Sequence, residues 1–396
     1  MTIAKKIADR LEKGAWVRRM FEEGAELKAK LGPDKVFDFT IGNPAEGPPR
    51  EFHQALKKLV DESPPGMHGY MPNGGHPSVR KKVAAHISAE CGLTLKAEQV
   101  VMTAGAGGAL NVGLHCLLDP GDEVILLSPY FLEYPIYVEN HGGRPVIVPT
   151  GPGFVLDLGA IEAGLTERTK AIILNSPNNP TGVVYPKDQL QALGDLLRSR
   201  QNKTGQEIYL LCDEPYKKHL FDGAEFPHIF PLVDNSLIAT SHSKDLCLGG
   251  ERIGYLAAGP RCAQVDLLAG AMVFANRTLG FVNAPSMMQL LVADLQDVPV
   301  DTASYEKRRD GLFIPLTRMG FEAARPQGGF YLFPKSPIPD DVAFVNAARK
   351  HNILIAPGRG FGAPGYFRVV FSVDLGVIER SIPVWEALAQ EFGVSG

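Results

Sequence analysis

A lone lysine stands among small polar residues in the stretch TSHSKDLCLGGERIGY, Thr240 to Tyr255. Ser241 and Ser243 come just before Lys244, and Arg252 follows it by eight positions. Burial disfavours the ammonium form of a lysine, so a buried lysine offers a neutral amine that can form an imine with a carbonyl group. Hydroxyl and guanidinium groups are suited to hold a phosphate. The stretch therefore predicts a ligand that carries both an aldehyde and a phosphate.

A glycine-rich segment, TAGAGGALN from Thr103 to Asn111, offers further phosphate contacts. It follows an apolar run and opens a helical pattern, so its backbone amides and the positive end of the helix dipole would face an anion. The alternative is a tight turn from strand to helix that holds no ligand. The dinucleotide-binding fingerprint is not matched, because Leu110 stands where its third glycine should be. The predicted anion is therefore not part of a dinucleotide.

Two further segments carry polar side chains where apolar runs end. CDEPY contains Asp213 and Tyr216, and NSPNNPTG contains Asn179. Taken singly, such an aspartate is most often a helix cap, and such asparagines bond within their own turn. The carboxyl ends of parallel strands, however, meet at one edge of a sheet, where ligands bind. Their convergence with Lys244 favours a single common site.

Pyridoxal phosphate is the common ligand that has both an aldehyde and a phosphate. Its ring nitrogen withdraws electrons best when protonated, and a neighbouring carboxylate keeps that proton in place. Asp213 is the candidate carboxylate, and Lys244 is the candidate for the imine bond. These residues predict pyridoxal 5'-phosphate as the cofactor.

Seven short apolar runs supply the strands that such a site needs. They are QVVMTAG, DEVILLSPYF, RPVIVPT, KAIILNSP, EIYLLCDEP, NSLIATSHS and RIGYLAAG. Helical patterns or turns separate most of them, which is typical of crossover units and a mainly parallel sheet buried on both faces. The sequence predicts an α/β fold with a large domain over residues 46–299. Residues 1–45 and 300–396 are predicted to form a smaller α+β domain, because helices and a small sheet follow from about residue 300.

Composition limits the possible partners and surroundings of the chain. Its 396 residues are 45% hydrophobic, and a net charge of −4 gives no general attraction to nucleic acid or to an anionic membrane. The five cysteines form no CxxC pair, so neither a disulfide framework nor a metal site is predicted. The N-terminal stretch reads as a charged helix, either an arm or a part of the small domain, without a leader pattern. We expect a cytoplasmic protein whose ligands are small molecules.

Many segments together resemble the class I and II aminotransferases, which are fold-type I pyridoxal-phosphate enzymes. The segments are IGNP, GYMPNGG, TAGAGGALN, SPYFLEY, NSPNNPTG, DEPY, SHSKDLCLGGERIGY, PQGGFYLF and FRVVFS, and they extend over nearly the whole chain. The resemblance implies a mainly parallel seven-stranded sheet between helices, a second smaller domain, and a homodimer. In the glycine-rich segment many relatives have a hydroxyl or amide side chain, whereas Ala106, Gly107 and Gly108 offer backbone only.

The resemblance also implies individual roles. Lys244 would bond the cofactor, Asp213 would pair with its ring nitrogen, and Tyr130 would stack on its ring. The other residues that would contact the cofactor are Asn179 and Tyr216 at the ring hydroxyl, Ala106, Gly107, Ser241, Ser243 and Arg252 at the phosphate, and Tyr70 at the phosphate in the neighbouring subunit. Arg368 would bind the substrate α-carboxylate as a bidentate fork, beside Gly42 and Asn179.

The reaction implied is transfer of an amino group from an L-amino acid to a 2-oxo acid. Lys244, once released from the cofactor, would act as the general base on the substrate Cα, helped by Asp213 and Tyr216. A lyase that cuts a C–S or C–C bond, or a cofactor-binding protein without catalysis, could use the same residues. Arg277 is a candidate for the substrate side-chain carboxylate, and the alternative is that it only tethers its segment at the subunit interface.

Overall fold

A computed structural model describes residues 2–5, 7, 8, 10, 11, 24 and 26–395. Much of the predicted N-terminal helix lies outside the described residues. The chain divides into two compact units. The large unit comprises Asn43–Ala303 and Pro326–Gly329, and the small unit comprises the residues up to Gly42, Ser304–Arg325 and the residues from Phe330 onward. We propose that these units are the two domains predicted from the sequence.

The strands are numbered along the chain. They are β1 (Phe37–Asp38), β2 (Val100–Thr103), β3 (Glu123–Ser128), β4 (Arg144–Pro149), β5 (Thr169–Asn175), β6 (Tyr209–Asp213), β7 (Ser236–Ser241), β8 (Gly254–Ala258), β9 (Tyr331–Leu332), β10 (Ile353–Leu354), β11 (Ala356–Pro357) and β12 (Phe367–Val370). Strands β2 to β8 form the sheet of the large unit in the order β2-β8-β7-β6-β5-β3-β4. All pairs in this sheet are parallel except those of β8, which runs antiparallel to β2 and β7. The predicted seven-stranded, mainly parallel sheet is confirmed.

Both faces of this sheet are buried, as the apolar runs predict. In β3, Ile125 and Leu127 belong to the apolar cluster on one face. Val124 and Leu126 belong to the cluster on the other face. Successive side chains of a strand point to opposite faces, so a continuous apolar run is needed where helices cover both.

The helices are also numbered along the chain. They are α1 (Arg50–Glu62), α2 (Pro77–Cys91), α3 (Gly105–Leu117), α4 (Tyr134–Asn140), α5 (Leu158–Gly164), α6 (Lys187–Thr204), α7 (His242–Asp245), α8 (Val265–Thr278), α9 (Ser286–Val292), α10 (Thr302–Arg318), α11 (Asp341–Lys350) and α12 (Leu375–Glu391). Helix α6 ends where Gly205 takes a left-handed conformation with φ 70°, the usual way to close a last helical turn. None of the helices in the described part of the chain combines the length and the apolar character needed to cross a membrane.

The small unit has two short sheets of its own. Strands β1 and β10 pair in parallel, and β11, β12 and β9 pair antiparallel in that order. Aromatic rings fill its core. The Trp385 ring stacks on Phe367 at 6.2 Å between centroids, and Phe321 meets Trp385 edge-on at 5.9 Å. These contacts join α12 to the strand that carries Arg368.

Candidate active site

Lys244 lies in the short helix α7, directly after β7. Ser241 is the last residue of β7 and caps this helix, since its hydroxyl accepts a hydrogen bond from the Ser243 amide at 3.2 Å. The two serine hydroxyls lie 2.6 Å apart. Lys244 is half-buried, and its Nζ atom lies 5.9 Å from the centroid of the Tyr216 ring. The amine and the predicted tyrosine therefore lie side by side.

Asp213 is the last residue of β6 and is buried, with 7% of its surface exposed. The Tyr134 hydroxyl donates to Asp213 Oδ2 at 2.6 Å. The second oxygen, Oδ1, has no hydrogen-bond partner among the described residues. Burial raises the pKa of Asp213 to about 6, against the lowering effects of the Tyr134 hydrogen bond and the Lys244 charge. A buried acceptor without a partner marks a place for a donor that binds.

The segment around Asn179 is tied to the Asp213 strand. Asn175 pairs with Asp213 in the β5–β6 register, and its Nδ2 donates to the Asp213 carbonyl at 2.9 Å. The Oδ1 atom of Asn175 accepts from the Asn179 amide at 2.6 Å. Asn179 and Tyr216 are both buried. Sequence reasoning placed these segments at one sheet edge, and in the large unit they meet there.

The glycine-rich segment forms the turn from β2 into α3. Gly105 has φ +73°, and a Cβ atom there would lie 2.9 Å from Arg252 Nη2 and 3.3 Å from Ser241 Oγ. Arg252 donates to the Ala104 carbonyl at 3.2 Å. The backbone amide of Ala106 follows in the first turn of α3, where N–H groups lack partners within the helix. Glycine is required here, and the turn, the arginine and the serine together form an anion cradle.

The remaining predicted residues of the large unit differ in exposure. Gly107 lies in the first turn of α3, half-buried. Tyr130 is half-buried, and burial raises the pKa of its hydroxyl. Tyr70 is wholly exposed at 100%. Arg277 is exposed at the end of α8, with its guanidinium 5.5 Å from the centroid of the Phe274 ring. Tyr70 and Arg277 thus lie at the surface of this chain, unlike the buried Asp213.

Arg368 belongs to the small unit, on β12. Its side chain is buried between two aromatic rings, with the guanidinium carbon 4.9 Å from the centroid of Tyr331 and 4.7 Å from that of Phe361. Its Nη2 donates to the Thr40 carbonyl at 2.9 Å. A Cβ atom on Gly42 would lie 2.6 Å from the Tyr331 hydroxyl, so any larger residue at this position would have to displace that ring. A guanidinium fixed between rings is pre-organised to bind a carboxylate.

Sequence reasoning assigned no role to Tyr134, Tyr331 or Phe361. Tyr134 stands in the quoted segment SPYFLEY, but its contact with Asp213 joins residues 79 positions apart. The rings around Arg368 come from two different elements of the small unit. No local spacing signals such contacts.

The residues of the large unit fit pyridoxal 5'-phosphate. An anion cradle, an amine and a buried carboxylate lie at one sheet edge, and the unpartnered Asp213 Oδ1 is an acceptor for a protonated ring nitrogen. Within the described residues, no group of three or more histidine, cysteine, aspartate or glutamate side chains is arranged to hold a metal ion.

Comparison with known proteins agrees with this geometry. The family described as aminotransferase class I and II matches residues 34–382. The aspartate/prephenate aminotransferase of Thermus thermophilus is 34% identical over 342 residues, 85% of this chain and 86% of that protein. The aspartate aminotransferase of Geobacillus stearothermophilus is 31% identical over an alignment of 402 positions, which covers 96% of this chain and 97% of that protein.

Solved structures also match nearly the whole length of the chain. An amino transferase from Eubacterium rectale is 34% identical, has a TM-score of 0.95 and covers 99% of each chain. A mutant of the Thermus thermophilus aspartate aminotransferase is 30% identical, has a TM-score of 0.84 and covers 93% of this chain and 95% of that one. The predicted fold, family and cofactor are confirmed. This chain belongs to the class I and II aminotransferases, which are pyridoxal 5'-phosphate-dependent enzymes.

Proposed function

We propose that this aminotransferase takes the amino group of an acidic L-amino acid, aspartate foremost, and passes it to a 2-oxo acid. The buried carboxylate beside a lysine amine at one sheet edge is the observation that carries the chemistry. The aspartate and aspartate/prephenate aminotransferases among the relatives support the choice of amino acid.

The cofactor would be held by residues from several elements. When bound, the cofactor would delocalise the electron pair that stays on the substrate Cα after its proton is removed. Lys244 would hold its carbonyl carbon and Asp213 its ring nitrogen. The other proposed contacts are Tyr130, Asn179 and Tyr216 at the ring and Ala106, Gly107, Ser241, Ser243 and Arg252 at the phosphate. All these positions lie within residues 34–382, which match the family, and the contacts of Arg252 at Gly105 and Ala104 support the phosphate contacts.

The proton at the substrate Cα would be moved by Lys244. A free amine of this lysine takes the proton as a general base and returns it at a different carbon. Tyr216, whose ring lies beside Lys244 Nζ, would help to position the amine. The burial of Asp213 keeps water from screening its charge, so its effect on a nearby positive group is strong.

The substrate α-carboxylate would be bound by Arg368. Its flanking rings restrict the guanidinium to one orientation, which favours a bidentate pair with a carboxylate. Gly42 and Asn179 are the proposed neighbours of that carboxylate. An arginine in this role selects amino acids and oxo acids over simple amines.

The experiment that tests this function supplies one substrate at a time to the holoenzyme. With L-aspartate alone, we expect one molecule of oxo acid per active site and then no further product, because the amino group remains on the enzyme. Addition of a 2-oxo acid acceptor should restart the reaction. Continuous turnover on one amino acid would identify a lyase instead, and absence of any product would identify a cofactor-binding protein without catalysis.

Arg277 is the proposed partner of the substrate side-chain carboxylate. Arg277→Ala should then lower kcat/KM for aspartate by about 2 to 5 kcal/mol in transition-state free energy, the scale for loss of one charge partner. The value for alanine should hardly change. Arg144→Ala, another exposed arginine of the large unit, serves as the control. Equal losses for aspartate and alanine would show that Arg277 only tethers its segment.

We also propose a homodimer in which Tyr70 reaches the phosphate of the neighbouring subunit. Tyr70 is wholly exposed, and on α8 the large apolar side chains of Leu267 and Phe274 are 69% and 58% exposed. Exposed apolar surface of this kind is typical of an interface. Light scattering should give twice the chain mass of 42.9 kDa.

A mixing experiment tests the crossing of Tyr70. Tyr70→Phe should weaken cofactor affinity by about tenfold, since one hydrogen bond to a charged group is lost. Dimers that mix Tyr70→Phe and Lys244→Ala subunits would contain one intact site, and activity should return on mixing. No recovery in verified mixed dimers would show that Tyr70 does not cross between subunits.

A cytoplasmic location remains our proposal. All five cysteines of the chain are free thiols, and Cys91, Cys212 and Cys262 are buried. Such usage suits a reducing compartment, because disulfides persist in oxidising ones.

A further inference from the structure

We infer that Tyr134 is a positioning residue for catalysis, which fixes the Asp213 carboxylate and keeps it ionised for the cofactor ring nitrogen. The inference rests on the proposed role of Asp213. The hydroxyl of Tyr134 donates to Asp213 Oδ2 at 2.6 Å, the length of a hydrogen bond between a hydroxyl and a charged oxygen. No direct contact of Tyr134 with substrate or cofactor is needed.

The Tyr134 ring is held rigidly. It is 2% exposed at the start of α4 and belongs to the apolar cluster that also includes Leu110 and Val138. The Phe131 ring meets it edge-on at 5.5 Å. A hydroxyl on such a fixed ring has one direction to point, so it also fixes the rotamer of the carboxylate that it contacts.

The hydrogen bond leaves the two carboxylate oxygens of Asp213 in different roles. Oδ2 accepts from Tyr134, whereas Oδ1 has no hydrogen-bond partner among the described residues and remains available to a ligand donor. Both groups cannot be anionic at this distance. Burial and the Asp213 charge hold the pKa of Tyr134 well above its usual value, so the tyrosine stays neutral and donates.

The hydrogen bond also opposes the effect of burial on Asp213. Burial raises the pKa of this carboxyl to about 6, while the Tyr134 hydrogen bond and the Lys244 charge lower it. Without the hydroxyl, the pKa of Asp213 would rise further, and a larger fraction of the enzyme would carry a neutral acid near pH 7. Among the described residues, Tyr137 on α4 also interacts with Asp213, as do Cys212 and Glu214 along its own chain segment, and all three are unchanged in Tyr134→Phe.

The test compares Tyr134→Phe with Tyr209→Phe, which removes the hydroxyl of another buried tyrosine in the same apolar cluster, one that bonds to Glu207 instead. Affinity for pyridoxal 5'-phosphate is measured on the apoenzyme from pH 5 to 9. Wild-type affinity should fall as the pH drops through about 6, where Asp213 gains its proton. In Tyr134→Phe this fall should begin at a higher pH, with affinity near pH 7 about tenfold weaker and the difference shrinking toward pH 9. Tyr209→Phe should follow the wild type.

A second measurement needs no cofactor. The folded-state pKa of Asp213 lies above the unfolded value of 3.8, so apoenzyme stability falls as pH rises through that interval. A further rise in Tyr134→Phe extends this fall to higher pH. The difference in unfolding free energy between the two proteins should therefore change little between pH 4 and 6 and then grow above pH 6.

Three outcomes separate the alternatives. An upward shift of the pH profile in Tyr134→Phe alone supports the inference. A loss of affinity that is equal at every pH, or a wild-type profile, overturns it, because a residue that only packs would leave the profile in place. If Asp213→Asn keeps the wild-type profile, Asp213 is not the titrating group, and the proposed role of Asp213 fails together with the inference.

Discussion

Lys244→Ala should abolish transamination while the protein remains folded. The substitution removes both the amine that would bond the cofactor and the base that would move the Cα proton. Loss of a positioned general base alone lowers a rate by about 10²- to 10⁴-fold. Because the attachment point is lost with it, we expect a larger loss in kcat. Lys244 is only half-buried, so truncation to alanine removes little packing and the fold should be retained.

Chemical labelling makes the same prediction specific to one lysine. Borohydride reduction of the holoenzyme should attach the cofactor to Lys244, as peptide mapping would show. Two other lysines, Lys217 and Lys218, follow Asp213 closely in the chain and are the natural competitors. Recovery of the label on either of them would remove Lys244 from its proposed role. Lys96→Ala, at an exposed site, should keep wild-type activity and labelling.

The strands of the large unit were predictable because a strand buried on both faces requires a continuous apolar run in the sequence. The run EIYLLCDEP contains β6, which ends at Asp213, and the run NSLIATSHS contains β7, which ends at Ser241. The direction of a strand is not visible in its apolar run. The run RIGYLAAG contains β8, which looks like its neighbours in composition but lies antiparallel to both of them. Direction depends on how the chain returns to the sheet, which a single apolar run does not encode.

The candidate site was predictable where the polar residues follow strands or form turns. The glycine turn at Gly105 is an example, since a positive φ restricts the position to glycine or a strained residue. Tyr134 shows the limit. Its hydrogen bond to Asp213 depends on the packing of α4 against the sheet, which the segment SPYFLEY alone does not encode. Such partners are found only from coordinates.

Asp213→Asn should lower the transamination rate by roughly 10²- to 10³-fold or more, while the phosphate contacts keep the cofactor bound. The substitution keeps the size of the side chain but removes the charge that would hold the ring nitrogen protonated. Loss of one pre-organised electrostatic contact in an active site has an effect of this size. Rates are measured with saturating cofactor, so that occupancy does not limit them. Near wild-type activity would mean that the ring is oriented differently.

Glu214→Gln is the matched control for this variant. Glu214 is the next residue in the chain, is equally buried, and burial raises its pKa to about 7. The control therefore also removes a buried carboxylate with a raised pKa, but not the one next to Tyr134. We expect Glu214→Gln to keep the cofactor-dependent rate within a few-fold. A comparable loss in both variants would attribute the effect to buried charge in general.

Asp213→Asn should also reveal how ionisation of Asp213 affects the stability of the apoenzyme. Its pKa is raised from 3.8 to about 6, so the wild-type protein loses stability as pH rises through this interval, and the loss is complete above it. Asp213→Asn lacks this titrating carboxyl, while the other titrating groups are common to both proteins. Between pH 4 and pH 8 the unfolding free energy of the variant should therefore improve relative to the wild type by about 2 kcal/mol. Denaturant titrations of both apoproteins at the two pH values measure this difference. If the difference in unfolding free energy between the two proteins is the same at both pH values, burial does not destabilise the ionised Asp213. That result would also weaken its proposed role, because the same burial is what would strengthen its interaction with the cofactor ring nitrogen.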